Sequence, residues 1–335
     1  MHVHFCLPDL ADHPTGGNRY NTALRAAWPE ADRITTGTGW PRPDSDPFKA
    51  DVWLVDSLLV RTPEMPRILS DAPPAVLLAH YLHLADPTQA HTEAIMQEAQ
   101  YLQRFEGCVV PSHFVADRLS EHGMPREHIW VAAPGLSAAY RHGRSFAEAP
   151  APPFRLLTVA NPFPNKQVVP CLHMLEALPD LPWTWRIIGD DALDPEHAAR
   201  TRRAIEASPL RERITLRGPQ PVEAVRAAYR AADAVLCPSR FETSGMVARE
   251  ALACGVPVLG FRVGGLPETL GATAQNGLVE PYDFGRLGNR LHELLTTPSR
   301  YHAWHREAIR TSRGKPAWTE TAARVRHALQ QVAAA

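Results

Sequence analysis

Apolar residues in this chain come in short unbroken runs, and between the runs apolar positions recur three and four residues apart. The runs Val3 to Leu7, Val52 to Val55, Ala75 to Ala79, Gly107 to Val110 and Ile129 to Val131 predict strands buried on both faces, because a half-exposed strand would alternate with polar residues. Helical spacing covers Asn18 to Trp28, Thr88 to Phe105 and His113 to His122. Strands alternating with helices in this way predict a parallel, doubly wound sheet.

Between Tyr140 and Phe154 the pattern breaks into a Pro/Ala-rich stretch that reads as an exposed linker. A second series then begins. It predicts strands at Arg155 to Ala160, Trp183 to Ile188, Ile214 to Arg217, Ala234 to Leu236 and Val256 to Gly260, with helices that include Pro195 to Ala207 and Pro221 to Ala231. A last amphipathic helix runs from Trp318 to Leu329. The 335 residues exceed the ~250–300 at which one core stops growing, so two domains are expected. The expected domains are 1–145 and 155–315, joined by a linker at 146–154 and followed by a terminal helical segment at 316–335. Two such domains would face a cleft with the carboxyl ends of their strands, where open α/β sheets bind ligands.

Composition adds little to the fold and more to the chemistry. With 44% hydrophobic and 21% charged residues, this is ordinary globular protein. Net charge is −1 but uneven: residues 1–150 carry 12 Lys/Arg against 18 Asp/Glu, and residues 151–335 carry 23 against 18. A positive second half suits an anionic ligand there. No basic amphipathic helix points to a membrane surface, no apolar run reaches ~18 residues, and the first residues lack the form of a signal peptide, so a cytoplasmic protein is expected. Arginine abundance gives no sign of nucleic-acid binding. Cys6, Cys108, Cys171, Cys237 and Cys254 form no Cys-x-x-Cys pair and read as buried free thiols.

The segment Phe241 to Val258 carries two glutamates eight positions apart, Glu242 and Glu250. Ser244 and Gly245 suit a helix start, Met246 to Leu252 supply an apolar face, and Gly255 with Pro257 ends the helix. On a helix, positions eight apart are offset by ~80° and ~12 Å, too far to share one reacting atom. The two carboxylates therefore read as holders of one extended ligand, with unpaired N–H groups near Ser244, Gly245 and Met246 offering an anion site between them. A nucleotide sugar fits: one carboxylate for the sugar, a diphosphate on the amides, one carboxylate for the ribose. The plain alternative is a solvated Glu250 and a Glu242 placed by chance.

Continued by Ala251-Leu252-Ala253-Cys254-Gly255-Val256-Pro257-Val258, then Val263-Gly264-Gly265-Leu266-Pro267-Glu268 and Asn276-Gly277-Leu278-Val279, the segment resembles the donor-site signature of retaining glycosyltransferases of family 4 (glycosyl transferases group 1). The resemblance covers roughly the last half of the chain. It implies an α/β fold of the GT-B type: two doubly wound parallel-sheet (Rossmann-like) domains, the first binding an acceptor and the second a nucleotide sugar. It also implies that the terminal helix returns to the first domain; the sequence alone equally allows it to cap the second.

Several residues take roles from this resemblance. Gly16 and Gly17 stand where the family places a glycine pair facing donor phosphate and acceptor; read alone, they allow positive φ or form an ordinary turn. His80 ends the run Val76 to Ala79, where the family has a histidine touching the sugar, with His83 as its rival. Its neutral imidazole would donate to a sugar hydroxyl or help stabilise developing positive charge nearby. Lys166, one of only three lysines, lies after the first strand of the second domain and would neutralise a leaving phosphate. The family pairs this lysine with an arginine several residues earlier, and here Asn161 stands in that place, leaving Arg19 and Arg240 as substitutes. Gly189 and Gly218 end strands where the family binds the base. Thr243, Ser244, Gly245, Met246 and Val247 complete the donor contacts between Glu242 and Glu250.

The reaction implied is transfer of a hexosyl group, with retention, from a UDP- or GDP-linked sugar to a hydroxyl of a glycan, small molecule or natural product. His80, Lys166 and Glu242 are the catalytic candidates. Retaining hydrolases use two carboxylates ~5 Å apart, and nothing here identifies such a pair. A front-face substitution is expected, in which the departing diphosphate accepts the acceptor's proton. No cofactor is called for, and no Asp/His cluster marks a metal. The alternatives are a GT-B phosphorylase or epimerase, and a nucleotide-sugar binding protein with little transferase activity. A dehydrogenase is disfavoured because no G-x-G-x-x-G follows the first strand.

Overall fold

In the computed structural model, residues 1–8, 15–41, 45–62, 64–89, 93–140 and 149–334 are described. Most of the Arg141 to Pro153 stretch read as a linker, and the loop Asp9 to Pro14, lie outside them. The chain divides into two compact units, Met1–Gly135 with Pro316–Ala335, and Leu136–Lys315.

The first unit runs β1 (His2–Leu7), α1 (Gly16–Ala26), β2 (Arg33–Thr38), β3 (Val52–Asp56), α2 (Met65–Asp71), β4 (Ala75–Leu78), α3 (Glu93–Leu102), β5 (Gly107–Val110), α4 (His113–Glu121) and β6 (Ile129–Val131). Its sheet has the order β2-β1-β3-β4-β5-β6 with every pair parallel. The strand β2 occupies the edge, and its sequence Arg-Ile-Thr-Thr-Gly-Thr explains why the apolar pattern does not mark it: one side faces no strand and half its residues face solvent.

The second unit runs β7 (Phe154–Val159), α5 (Val168–Glu176), β8 (Trp183–Ile188), α6 (Pro195–Ala207), β9 (Ile214–Arg217), α7 (Val222–Ala231), β10 (Ala234–Cys237), α8 (Met246–Ala253), β11 (Val258–Phe261), α9 (Leu266–Leu270), α10 (Ala274–Gly277), β12 (Leu278–Val279), α11 (Phe284–Thr296) and α12 (Pro298–Arg313). Its sheet is also parallel, in the order β12-β11-β10-β7-β8-β9. Neighbouring residues on one strand serve opposite cores. Leu156, Leu236 and Leu259 pack with Trp183, Trp185 and Phe261 on one face, while Leu157, Val235 and Val258 pack with Tyr229, Leu252 and Leu266 on the other. This two-sided burial is what the unbroken apolar runs encode.

The last helix, α13 (Trp318–Ala333), belongs to the first unit. Trp318 meets Tyr20 edge-on at 5.1 Å, Thr321 Oγ1 donates to the Ala133 carbonyl, and Arg326 makes a two-pronged pair with Asp32 at 2.6 and 3.1 Å. The hydrogen bonds from Arg326 hold the Asp32 carboxyl below the usual carboxylate range. No helix among the described residues is long and apolar enough to cross a membrane.

Candidate functional site

In each sheet the chain winds outward in both directions from its first strand. The turning point lies between β1 and β3 in the first unit and between β7 and β10 in the second, and the loops at the strands' carboxyl ends there are where such sheets bind ligands.

In the second unit four loops converge at that edge. Lys166 follows β7; Arg240 and Glu242 follow β10; Gly264 and Gly265 follow β11; Tyr282 follows β12. Asn165 ties the first two loops together: its side chain accepts from the Phe241 N–H at 3.0 Å and donates to the Phe241 carbonyl at 3.0 Å, and its carbonyl accepts from the Arg240 N–H at 2.8 Å. Gln167, in the left-handed region at φ 47°, donates from Nε2 to the Pro238 carbonyl at 3.0 Å. The third loop grips Glu242 by its backbone. Its carbonyl accepts from the Gly265 N–H at 2.9 Å, and Gly264, at φ +50°, approaches so closely that a Cβ there would lie 1.9 Å from that oxygen. The Glu242 carboxylate accepts from Lys166 Nζ at 2.6 Å and from Ser239 Oγ at 2.7 Å.

Glu242 therefore sits in the loop before α8, and the eight-residue helical offset expected from the sequence does not apply to it. Glu250 does lie on α8. It is buried, and Tyr229 donates its hydroxyl to the carboxylate at 3.0 Å, so it is not the solvated residue of the plain alternative. Gly245 opens α8 at φ +67° with no side-chain cap, which leaves the first amides of the helix uncapped by side chains beside half-buried Thr243, Met246 and Val247. Ser244 is buried, with its carbonyl accepting from Thr269.

Three further candidates lie in the loops after β7, β8 and β9. Asn161 accepts from the Asp190 N–H at 2.9 Å, which ties the loop after β7 to the loop after β8. Gly189 permits that contact, since a Cβ would fall 2.0 Å from the Ala160 carbonyl oxygen. Gly218 is exposed at the end of β9, an edge strand, with open space around it. Burial pushes the Cys237 and Cys254 thiols up to about 12, and those of Cys6, Cys108 and Cys171 upward as well, which leaves no thiolate for chemistry.

In the first unit, Gly16 and Gly17 form the first turn of α1, capped by Thr15 Oγ1 at 3.1 Å from the Asn18 N–H. Neither glycine uses the positive φ open to it. Gly17 is instead small because His80 packs on it, with a Cβ there lying 3.2 Å from His80 Cδ2. Asn21 Nδ2 donates to Asp56 at 2.7 Å, which makes Asn21 Oδ1 the acceptor for His80 Nε2 at 2.8 Å. Tyr20 meets the His80 ring edge-on at 4.9 Å, and Ser57 Oγ accepts from the His80 and Tyr81 N–H groups. Burial lowers the His80 pKa, against an opposing pull from Asp56. Paired in this way, Nε2 holds the ring proton toward Asn21, and donation from it to a sugar hydroxyl would compete with that bond. His83 lies instead 3.6 Å from Glu98.

Sequence reasoning missed the partners: Asn21, Asp56 and Tyr20 around His80, Tyr229 on Glu250, and Ser239 and Asn165 around Glu242. Ser239 stands three residues before Glu242, and Asp56 closes an apolar run, as His80 nearly does; the other partners carry no local signal. Among the described residues no group of three or more His, Cys, Asp or Glu has metal-holding geometry.

The fold matches that of sucrose-phosphate synthase from Thermosynechococcus elongatus, with TM-score 0.79 at 16% identity over 100% of this chain and 99% of the other. It also matches Anabaena Alr3699/HepE in complex with UDP-glucose, with TM-score 0.80 at 15% identity over 99% and 100%. Both sheets and their helices correspond to the GT-B two-domain Rossmann-like fold. Among curated relatives, a D-inositol 3-phosphate glycosyltransferase of Mycolicibacterium smegmatis is 41% identical over 86 residues, 26% of this chain and 20% of the relative. A 2-deoxystreptamine N-acetyl-D-glucosaminyltransferase of Streptomyces fradiae is 35% identical over 108 residues, 32% and 26% of the two. The matched stretches span about a quarter of the length of such relatives. The sequence profile of glycosyl transferases group 1 matches residues 144–311, which hold every loop of the Lys166–Glu242 site. With half its length in that match, the chain belongs to the glycosyl transferases group 1 family.

Proposed function

We propose that the protein is a retaining, metal-independent glycosyltransferase of family 4 that moves a hexosyl group from a UDP- or GDP-linked sugar to an acceptor hydroxyl. One observation carries the reading: a lysine and a glutamate from two loops meet at the turning point of a doubly wound sheet, beside uncapped helix amides. The amides and Lys166 would take the diphosphate, Glu242 the sugar hydroxyls, and Glu250, on the second turn of α8, the ribose. As the glycosidic bond breaks, negative charge builds on the diphosphate. Lys166 can meet it by turning from Glu242, which frees that carboxylate for the sugar. The leaving phosphate then accepts the acceptor's proton on the face from which it departs, so the configuration is retained.

A nucleotide-sugar binding protein with little turnover is the second reading. It is favoured by Asn161, whose side-chain oxygen is used on Asp190 and which brings no positive charge to the diphosphate.

A thermal-shift panel of UDP-, GDP-, ADP- and TDP-sugars tests the donor reading, because a ligand at ~100 times its dissociation constant adds ~2.7 kcal/mol of stability. One nucleotide series should raise the melting temperature. No shift with any of the four rejects the donor site, and binding without transfer or hydrolysis of donor selects the second reading.

A further inference from the structure

Lys166 enters the site already neutralised by Glu242, and Asn161 adds no charge. A nucleoside diphosphate carries at least two negative charges, so a single paired ammonium is a thin counter-ion. The loop after β10 supplies another cation. Arg240 is exposed, and its N–H bonds the carbonyl of Asn165, the residue before Lys166. Its carbonyl-side neighbours lead directly to Glu242. Its guanidinium is braced: Nε donates to the Tyr282 hydroxyl at 3.1 Å, and the group lies 5.8 Å from the centre of the Tyr282 ring.

The brace itself is unusual. Tyr282 is half exposed and sits at φ +67°. Among the described residues, only Gln167 and Tyr282 hold positive φ without being glycine, and they fall on two of the loops that converge at this site. Bulky residues avoid that region, so its use marks a position fixed by surrounding contacts, and such positions cluster at ligand sites. For Tyr282 those contacts include Phe261, whose ring lies 6.2 Å away, and a bond from the Phe284 N–H to the Tyr282 carbonyl at 2.9 Å. The strands β12, β11, β10 and β7 are consecutive in the sheet, so Tyr282, Gly264, Arg240 and Lys166 follow one another along its edge. The cation–π contact holds an arginine that would otherwise swing freely in solvent, at low entropic loss on binding an anion.

We infer that Arg240, positioned by Tyr282, is a second phosphate-binding cation of the donor site. The inference rests on the donor reading above. Its ligand is the diphosphate common to every donor of this class, so it is indifferent to sugar and base.

Calorimetric titration of the full chain tests it, using the nucleoside diphosphate and the matching nucleoside of the series chosen by the thermal-shift panel. Arg240→Gln should weaken diphosphate binding about tenfold, leave nucleoside binding and the melting temperature unchanged, and flatten the dependence of affinity on salt. Arg240→Lys should recover part of the loss. Tyr282→Phe should give a smaller loss in the same direction, because the ring remains and only the hydroxyl acceptor goes. Equal diphosphate affinity and salt dependence in wild type and Arg240→Gln overturn the role of Arg240 while leaving the donor site standing. A wild-type chain that binds none of the four diphosphates overturns the donor reading, and this inference with it.

Discussion

The two units carry their candidate residues in opposite ways. In the first, His80 is packed against Gly17, bonded to Asn21, which is bonded to Asp56, and flanked by Tyr20. Its ring is held by packing and by the contact of Nε2 with Asn21. In the second, Lys166 and Glu242 satisfy mainly each other, with Ser239 adding one bond. Such a pair, its side chains 24% and 19% exposed, can be closed on itself or opened onto a ligand that takes one of the partners. The first arrangement fixes the position of a ring; the second keeps charges available. Position and charge compensation are separate contributions to a barrier.

The sharpest way to break this contrast is Lys166→Ala. Turnover with the donor identified by the panel should fall about 10²–10³-fold, with thermal stability little changed. A variant with undiminished turnover would show that the pair is only structural. The backbone around Glu242 should be far less forgiving than its side chain. Gly264→Ala combines positive φ with a Cβ 1.9 Å from the Glu242 oxygen, so a loss of about 3 kcal/mol or more is expected in chemical denaturation. Glu250→Ala removes the buried bond from the Tyr229 hydroxyl and should cost about 1–3 kcal/mol. It should also weaken nucleotide and nucleotide sugar alike, whereas Glu242→Ala should chiefly weaken the part that depends on the sugar; equal losses for both ligands in both variants would abolish the division of labour.

The first unit should respond to acid. Burial lowers the pKa of His4 to about 4 and lowers that of His80 also, so between the ordinary value near 6.5 and the folded value the unfolded chain binds more protons. Stability is then fully present above about 6.5 and lost as pH falls toward about 4. A flat profile of unfolding free energy across that range would contradict neutral, packed imidazoles. Smallest of all is Gly16→Ala, which meets nothing within 4 Å and should alter stability by no more than about 0.5 kcal/mol; Gly17→Ala, pressed on His80, should cost more.

These differences also explain what was legible in the sequence. Gly107–Val110, Ile129–Val131, Trp183–Ile188 and Ile214–Arg217 stand where the pattern predicts strands, as do most others to within a residue or two; burial between helices writes the first two as apolar runs, and the last two show alternation of apolar and polar residues. The edge strand β2 and the two-residue β12 were not legible, since neither has two apolar faces or enough length to show a period. Glu242 and Lys166 stood out as types in a motif. Their mutual pairing did not, because it joins positions 76 residues apart through loops whose conformation no local pattern encodes. The same holds for Tyr229 on Glu250 and for Asn161, whose side chain turns out to tie one loop to the next.

The lacing by Asn165 has a consequence for variation. One side chain and its carbonyl set where both Arg240 and Phe241 begin the approach to Glu242, so the direct succession of Lys166 on Asn165, and of Glu242 on Phe241, is part of what brings the lysine to the glutamate. Side chains along these two loops can be exchanged one at a time with graded effects. A single residue inserted at either point would move a charge by about 3 Å along its chain and part the lysine from the glutamate at a stroke, with both strands intact.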